Sequence, residues 1–296
     1  SNFLKWNTNI QNCKAAFQNC KEMMGEIDRE LFKDKGNLTN VSYMFDGCSG
    51  VYGEIPRELF RNAPNGNSSK ISNISYMFRG TGIYGEIPSY ISDENKGLFD
   101  ELPLLENVSY FLPTGVYGNI PENLFKYNPK LVNVTGLFSG CSGLTGEIPT
   151  NLFTNNPNLS LAGQLFKNCT GLDSYIPSGF FNNCPNLVNV SELFYNCTGL
   201  ESVDFEGNTQ ITSVGYQAFY GCESLKSVKM GNAVKTIGSE AFWECKSLES
   251  VQLGNAVETI GRQAFYDCAS LKTVELPILP PVEFIKVQKI TCFGRL

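Results

Sequence analysis

Cysteine, tyrosine and glutamate are the residues of this chain whose types and spacing could do chemistry. The 296 residues include 11 cysteines and 13 tyrosines but no histidine. The absence of histidine excludes Ser-His-Asp and Cys-His nucleophile pairs, histidine-ligated zinc and the usual proton shuttle near neutral pH. An enzyme built from this sequence would therefore need a pair of carboxylates or a nucleophile activated by lysine.

Eight of the cysteines occupy one position of an internal repeat, and threonine takes that position in two further repeats. These ten anchors are Cys20, Cys48, Thr81, Thr114, Cys141, Cys169, Cys197, Cys222, Cys245 and Cys268. A hydroxyl can donate a hydrogen bond but cannot form a disulfide, and the chain contains no C-x-x-C pair. We therefore expect reduced, buried thiols that bond to the backbone of their own turn, with zinc binding as the less favoured alternative. Cys184, in phase with Asn128 and Asn156, is expected to replace a turn-capping asparagine.

Tyrosines and acidic residues form a second set of columns. Tyr52, Tyr84 and Tyr117 are in phase, and each is followed two residues later by Glu54, Glu86 or Asn119, while Glu26 and Glu147 extend the acidic column. In an extended chain, positions i and i+2 share a face, opposite to the inward Val51, Ile83 and Val116. This spacing predicts an exposed ladder of tyrosines beside a ladder of carboxylates. The candidate ligand-binding residues are Tyr52, Tyr84, Tyr117, Glu54, Glu86 and Glu147, and the alternative is that Y-G-E-I-P is a phrase copied by duplication without a function.

Two other patterns are better explained by structure than by ligand binding. Lys226, Glu249 and Lys272 alternate in sign down one column, which predicts a solvated strand face with modest cross-strand pairs. The N-x-[ST] sequon recurs along the chain, but N-V-[ST] and N-C-T are phrases of the repeat, so we do not interpret them as a glycosylated surface. The sequons start at Asn37, Asn40, Asn67, Asn73, Asn107, Asn133, Asn158, Asn168, Asn189 and Asn196.

The elements that position these residues follow from the repeat itself. LKSVKM, LESVQL and LKTVEL alternate apolar and polar residues, which is typical of a strand buried on one face. GSEAFWEC, with Ser239 as an N-cap, and IPENLFKYNP, which Pro121 opens, predict a short helical segment on the opposite side. One parallel strand and one short helical or 3-10 segment per turn, repeated over about ten turns, predict a curved solenoid.

The period divides the chain into four parts. We assign 1–12 to an N-terminal cap, 13–199 to long repeats of 28–33 residues, 200–276 to short repeats of 23–25 residues, and 277–296 to a C-terminal cap or tail. Long and short turns share the C-x-x-L start and the F-x-x-C end. We therefore expect one uninterrupted parallel sheet across the change of period.

The C-terminal turns AFYGCESLKSVKM, AFWECKSLESVQL and AFYDCASLKTVEL resemble BspA-like leucine-rich repeats, which are common in proteins displayed on bacterial surfaces and in some parasitic protists. NVSYMFDGC, NISYMFRG and NVTGLFSGC are similar to the related long-repeat variety of bacterial surface proteins. The resemblance covers residues 13–276. It implies a right-handed, curved leucine-rich repeat solenoid, and it supplies no catalytic residues.

From this resemblance we expect an exported or cell-surface protein that mediates adhesion by binding a host or neighbouring-cell protein or glycan, without catalysis, cofactor or metal. The alternatives are a carboxylate glycosidase, with Glu54 and Glu86 about 5–9 Å apart, and a structural spacer for another domain. The formal net charge of −6 argues against a nucleic-acid partner. No run of about 18 apolar residues predicts a membrane span. We expect a monomer, and any signal or anchor segment is expected to lie outside this chain.

Overall fold

The computed structural model describes residue 4 and residues 7–61, 69–91, 96–172, 175–176, 179–187 and 190–275. The predicted C-terminal cap over 277–296 lies outside these residues, as do Phe3 and Trp6 of the predicted N-terminal cap, Cys292, and the sequon positions Asn67 and Asn189. Within the described part of the predicted N-terminal cap, Leu4 is buried and Ile10 packs against the core.

Thirteen short strands make up the regular structure of the described residues. Their bounds are β1 Gly25–Glu26, β2 Val51–Glu54, β3 Gly82–Glu86, β4 Gly115–Gly118, β5 Gly143–Leu144, β6 Tyr175–Ile176, β7 Ser202–Asp204, β8 Ser213–Val214, β9 Ser227–Lys229, β10 Thr236–Ile237, β11 Ser250–Gln252, β12 Thr259–Ile260 and β13 Thr273–Glu275. One strand follows each of the ten anchors, and β8, β10 and β12 are additional strands of the short turns. All strand pairs of the described residues are parallel, as a solenoid requires.

The strands form three sheets rather than one. The first runs β1-β2-β3-β4-β5, the second β6-β7-β9-β11-β13, and the third β8-β10-β12. The expectation of a parallel sheet that continues across the change of period is confirmed, because β6, β7 and β9 pair across residue 200. Within the described residues the break lies earlier in the chain, since β5 and β6 are not paired.

A second ladder of backbone pairs runs along another side of the solenoid. In the long turns it consists of single bridges that link Asn12, Asn40, Asn73, Asn107, Asn133 and Leu161 in order. In the short turns, the third sheet, made of β8, β10 and β12, takes the place of these bridges. The asparagine side chains close small turns, since Asn40 Oδ1 accepts hydrogen bonds from the backbone N–H and the hydroxyl of Ser42 at 2.9 and 2.7 Å. Asn40 of the N-V-S sequon is thus a structural part of the repeat.

The predicted helical segments are wrong, because the described residues contain no helix. In GSEAFWEC, the Trp243 N–H bonds to Glu240 O within the turn, but the Phe242 N–H bonds to Ala264 O of the next turn at 2.8 Å. Glu240 has a positive φ of 58°. An α-helix requires each N–H to bond four residues back, so amides committed to the neighbouring turn and a left-handed residue prevent its propagation.

Stacked phenylalanines fill the centre of the solenoid. Along the short turns, ring centroids of Phe194, Phe219, Phe242 and Phe265 follow one another at 5.6, 5.1 and 5.3 Å, with nearly parallel planes. The buried apolar residues from Leu4 to Cys268 form one cluster. The turns therefore share a continuous core even where the sheet is interrupted.

The cysteine column lines this core, and the ten described cysteines form no disulfide with one another. Most thiols donate to the backbone of the preceding turn, not of their own turn as expected: Cys48 Sγ lies 2.9 Å from Phe17 O, and Cys169 Sγ lies 3.0 Å from Phe138 O. Cys20, the first anchor of the column, is exposed, contrary to expectation.

The residues that replace the thiols behave differently. Thr81 Oγ1 donates to Phe78 O of its own turn at 2.7 Å, and Thr114 is exposed. At the other capping position, Asn128 Nδ2 donates to two carbonyls of the preceding turn at 2.9 Å. Cys184 Sγ makes a longer contact of 3.9 Å with Phe153 O, which agrees with its predicted role as a substitute for asparagine.

Candidate functional site

The exposed face of the first sheet contains the three predicted tyrosines. Tyr52, Tyr84 and Tyr117 are 48, 49 and 44 % exposed. Val51, Ile83 and Val116 are buried beneath them, so the predicted assignment of inward and outward positions is confirmed. Strand β2 reads buried, exposed, buried, exposed from Val51 to Glu54, which places the tyrosine and the glutamate on the same side.

The register of the strands differs from the two separate ladders that the repeat phase predicted. Glu26 lies opposite Tyr52, Glu54 opposite Tyr84, and Glu86 opposite Tyr117. Each strand is therefore displaced by two residues relative to its repeat phrase. The expectation of stacked like charges is wrong, because a tyrosine of the next strand stands beside each of these carboxylates. We call these three pairs the Glu–Tyr array.

Glycine faces each tyrosine from the following strand. Tyr52 pairs with Gly82, Tyr84 with Gly115, and Tyr117 with Gly143. A Cβ atom built on Gly115 would lie 3.1 Å from the Tyr84 Cβ, and one on Gly143 would lie 2.8 Å from the Tyr117 Cβ. Both distances are closer than ordinary van der Waals contact. Because glycine has no side chain, the side of each tyrosine that faces the following strand is left uncovered.

Glu147, the last predicted site residue, is exposed but follows β5 by three residues and lies outside the paired strands. The structure does not bring it into the Glu–Tyr array. Tyr175 in β6 is 48 % exposed and was missed by the sequence analysis. A signal was present, since Tyr175 precedes Ile-Pro just as Glu54 and Glu86 do, and it therefore takes the position of the acidic column.

Charged side chains are arranged differently in the long turns and in the short turns. In the short turns, exposed glutamates pair with lysines of neighbouring turns: Glu201 with Lys226 at 3.1 Å, and Glu249 with Lys272 at 2.9 Å. This agrees with the predicted solvated face of alternating sign. Within the part of the chain that the structure describes, Glu26, Glu54 and Glu86 take part in no ion pair.

A second aromatic column, which the sequence analysis missed, runs along another side of the repeat. Tyr43 stacks on Tyr76 with centroids 4.6 Å apart, and Tyr76 stacks on Tyr110 at 4.9 Å. In the short turns the corresponding stack contains Tyr195, Tyr220, Trp243 and Tyr266. All of these rings are half-buried, and their faces are covered by one another. This column stabilises the turns and leaves only ring edges for a ligand.

Among the residues that the structure describes, no group of three or more cysteines and acids is placed to hold a metal ion. Over the same residues, no helix has the length and apolar character needed to cross a bilayer.

Comparison with known families identifies the repeats. Residues 190–288 match the model of the BspA type leucine-rich repeat region, in six copies. A search of curated proteins returned no match.

Several solved structures are similar to the chain. A leucine-rich repeat protein from Bacteroides ovatus is 26 % identical, with 91 % of this chain and 77 % of that chain covered and a TM-score of 0.39. The T. pallidum leucine-rich repeat protein is 24 % identical, with 58 and 63 % covered and a TM-score of 0.36, so the match spans less than two thirds of that protein. A leucine-rich cell surface protein from Faecalibacterium prausnitzii is 17 % identical, with 90 and 83 % covered and a TM-score of 0.31.

Proposed function

We propose that this chain, which carries BspA-type leucine-rich repeats over residues 190–288, is a non-catalytic cell-surface or secreted protein that binds a protein or glycan of a host or neighbouring cell. The binding surface in this proposal is the exposed face of β2, β3 and β4. Solenoids present extended surfaces of this kind, on which neighbouring turns contribute equivalent side chains. Adhesion through such a surface needs no cofactor.

The observation that carries the proposal is the exposure of Tyr52, Tyr84 and Tyr117. Each leaves almost half of its surface in solvent, whereas phenylalanines such as Phe125 and Phe138 in the same turns are fully buried. Tyrosines supply large contact area at a low cost in conformational entropy, and they are enriched in protein recognition surfaces. A row of them on one sheet face supports recognition of a partner rather than packing of the core.

The arrangement of the acids supports binding over hydrolysis. A glycosidase needs two carboxylates that face each other across a bond, one as acid and one as base or nucleophile. Glu54 lies in register with Tyr84, and Glu86 lies in register with Tyr117, so the two acids are diagonal neighbours on one exposed sheet face and do not flank a cleft that would enclose a glycosidic bond. Both acids also obey the repeat and form no exceptional constellation. We therefore propose a binding role for them.

The test is a binding screen of purified protein against immobilised extracellular-matrix proteins and a glycan array. A variant with Tyr52→Ala, Tyr84→Ala and Tyr117→Ala should lose most of the binding, because truncation of an aromatic anchor costs about 1–3 kcal/mol. The matched control carries Tyr127→Ala and Tyr216→Ala, since these tyrosines are 42 and 47 % exposed elsewhere on the solenoid. Equal binding by the triple variant and the unmodified protein would exclude this face as the binding surface.

A further inference from the structure

We infer that the Glu–Tyr array recognises a cationic polypeptide in extended conformation, with basic side chains at every second position. This inference rests on the proposed function and names the partner class for the same face. It follows from three properties of the array: its pairing of carboxylate with aromatic ring, the absence of ion pairs to its acids within the described residues, and its spacing.

Each unit of the array combines the two groups that hold an organic cation. Glu54 lies in register with Tyr84, and both side chains are exposed on the same side of the sheet. A carboxylate attracts an ammonium or guanidinium group by charge, and a phenol ring attracts it through the negative face of its π system within about 6 Å. Gly115 leaves the far side of Tyr84 uncovered. A basic side chain can therefore approach the acid and the ring together.

The strands of the array provide no cation of their own. The sequences of β1 to β5, which read GE, VYGE, GIYGE, GVYG and GL, contain no lysine or arginine. The second sheet differs, because Lys229 of β9 lies 3.8 Å from Asp204 of β7. Within the described residues, Glu201, Glu223 and Glu249 of the short turns form ion pairs with lysines, and the glutamates of the array do not. Charge complementarity therefore favours a positively charged partner on the first sheet.

The spacing of the units matches an extended chain. Tyr52 pairs with Gly82, which places Tyr84 two residues further along the neighbouring strand. Such diagonal neighbours are about 7–8 Å apart. Side chains on one face of an extended peptide repeat every two residues, which corresponds to about 6.6–6.8 Å. Three successive units can accordingly accept three alternate basic residues, whereas pairs of basic residues separated by two neutral residues place consecutive charges on one face four residues apart and do not match neighbouring units.

The experiment measures binding of three labelled twelve-residue peptides to the full chain by fluorescence anisotropy. One peptide alternates lysine and threonine, the second has the same composition with pairs of lysines separated by pairs of threonines, so that no two lysines are two residues apart, and the third replaces lysine by glutamate in the alternating order. We expect the alternating lysine peptide to bind more tightly than the paired-lysine peptide, and the acidic peptide not to bind. Equal affinities for the two lysine peptides would overturn the inference, because they would show attraction by net charge alone.

Two pairs of variants separate local recognition from total charge. Glu54→Gln with Glu86→Gln should weaken binding of the alternating peptide by about threefold to tenfold, and Tyr84→Ala by about twofold to fivefold. The control Glu201→Gln with Glu249→Gln changes the net charge by the same amount on the second sheet and should leave the affinity unchanged. An equal loss in the control pair would contradict the inference.

The outcome also separates this inference from the proposed function. A glycan or matrix protein that binds the unmodified chain, but not the triple tyrosine variant, would support the binding face. If the alternating lysine peptide then failed to bind, the cationic partner would be excluded while the proposed function stood. If the tyrosine substitutions changed the binding of none of these ligands, both the proposed function and this inference would be excluded.

Discussion

The Cys197 thiol donates a hydrogen bond of 2.9 Å to the backbone carbonyl oxygen of Phe166, which lies 31 residues earlier on the preceding turn. The same contact links Cys222 to Phe194 and Cys245 to Phe219, both at 3.1 Å. A carbonyl buried between turns has no access to water, so an unmade hydrogen bond there is costly. The cysteine column therefore connects each turn to the one before it.

Cys197→Ala should lower the free energy of unfolding by about 1–3 kcal/mol, because it removes buried sulfur and one of the two hydrogen bonds to the Phe166 carbonyl, which also accepts from the Cys169 N–H. Cys20→Ala is the matched control from the same column. Cys20 is exposed, so its replacement should change stability by less than about 0.5 kcal/mol. Urea unfolding of both variants measures the difference, and equal destabilisation would show that the inter-turn contact contributes nothing.

Alkylation of the native protein should distinguish the exposed cysteine from the buried ones. Burial raises the pKa of the Cys141 and Cys222 thiols to about 12 each, so almost no thiolate forms there at pH 8. Cys20 should react with iodoacetamide within minutes, and the buried thiols should react only after denaturation. Peptide mapping by mass spectrometry identifies the modified sites. Rapid labelling of Cys141 in the native state, or a mass that corresponds to three or more disulfides, would contradict the assignment.

Stability should fall as the pH rises above about 8.5, the ordinary pKa of a cysteine thiol. Unfolded thiols lose their protons there, whereas burial keeps the pKa of Cys141, Cys184 and Cys222 near 12 in the folded state. The unfolded state then binds fewer protons, so each such thiol lowers the free energy of unfolding by up to about 1.4 kcal/mol per pH unit. Urea midpoints between pH 7.5 and 9.5 measure the slope. Cys222→Ala should make it shallower, and an unchanged slope would show that this thiol is not the cause.

Asn156 should tolerate cysteine better than aspartate. Its Nδ2 donates to the buried carbonyls of Phe125 and Asn128 at 3.2 and 2.9 Å, while its Oδ1 has no hydrogen-bond partner in the described structure. Asn156→Asp replaces the amide group that donates both hydrogen bonds with a buried charge, and it should lower the free energy of unfolding by about 3–5 kcal/mol. Asn156→Cys, which copies Cys184, should cost about 1 kcal/mol. The exposed Asn155→Asp is the control, and a similar loss in thermal stability for both aspartate variants would contradict this account.

Substitution by alanine should destabilise the protein at Tyr76 and leave its stability almost unchanged at Tyr84. Tyr84 is exposed on the sheet, so Tyr84→Ala should change stability by less than about 0.5 kcal/mol. Tyr76 stacks between Tyr43 and Tyr110, and the Arg79 guanidinium lies 4.8 Å from its ring centre. Tyr76→Ala should therefore cost about 1–3 kcal/mol. Melting temperatures compare the two variants, and a larger loss for Tyr84 would mean that its ring belongs to the core.

Local patterns in the sequence were sufficient to predict where the strands lie and which of their residues face inward or outward. The ten anchors mark where each strand of the first two sheets follows, and the alternation around Val51 and Tyr52 identifies inward and outward residues. Both features are properties of a single turn, because side chains of an extended chain alternate regardless of what the strand pairs with. The exposure of Tyr52, Tyr84 and Tyr117 could be predicted for that reason.

Relations between turns were decided only by the tertiary structure. Whether Glu54 faces Glu86 or Tyr84 depends on the register between β2 and β3, and the phase of a repeated phrase does not determine it. The Phe242 amide bonds to Ala264 of the next turn, which removes the helix that the local sequence favours. The Cys197 thiol likewise has its acceptor on the preceding turn. In each case the partner is 22 to 32 residues away, so the hydrogen bonds form only once the turns have stacked.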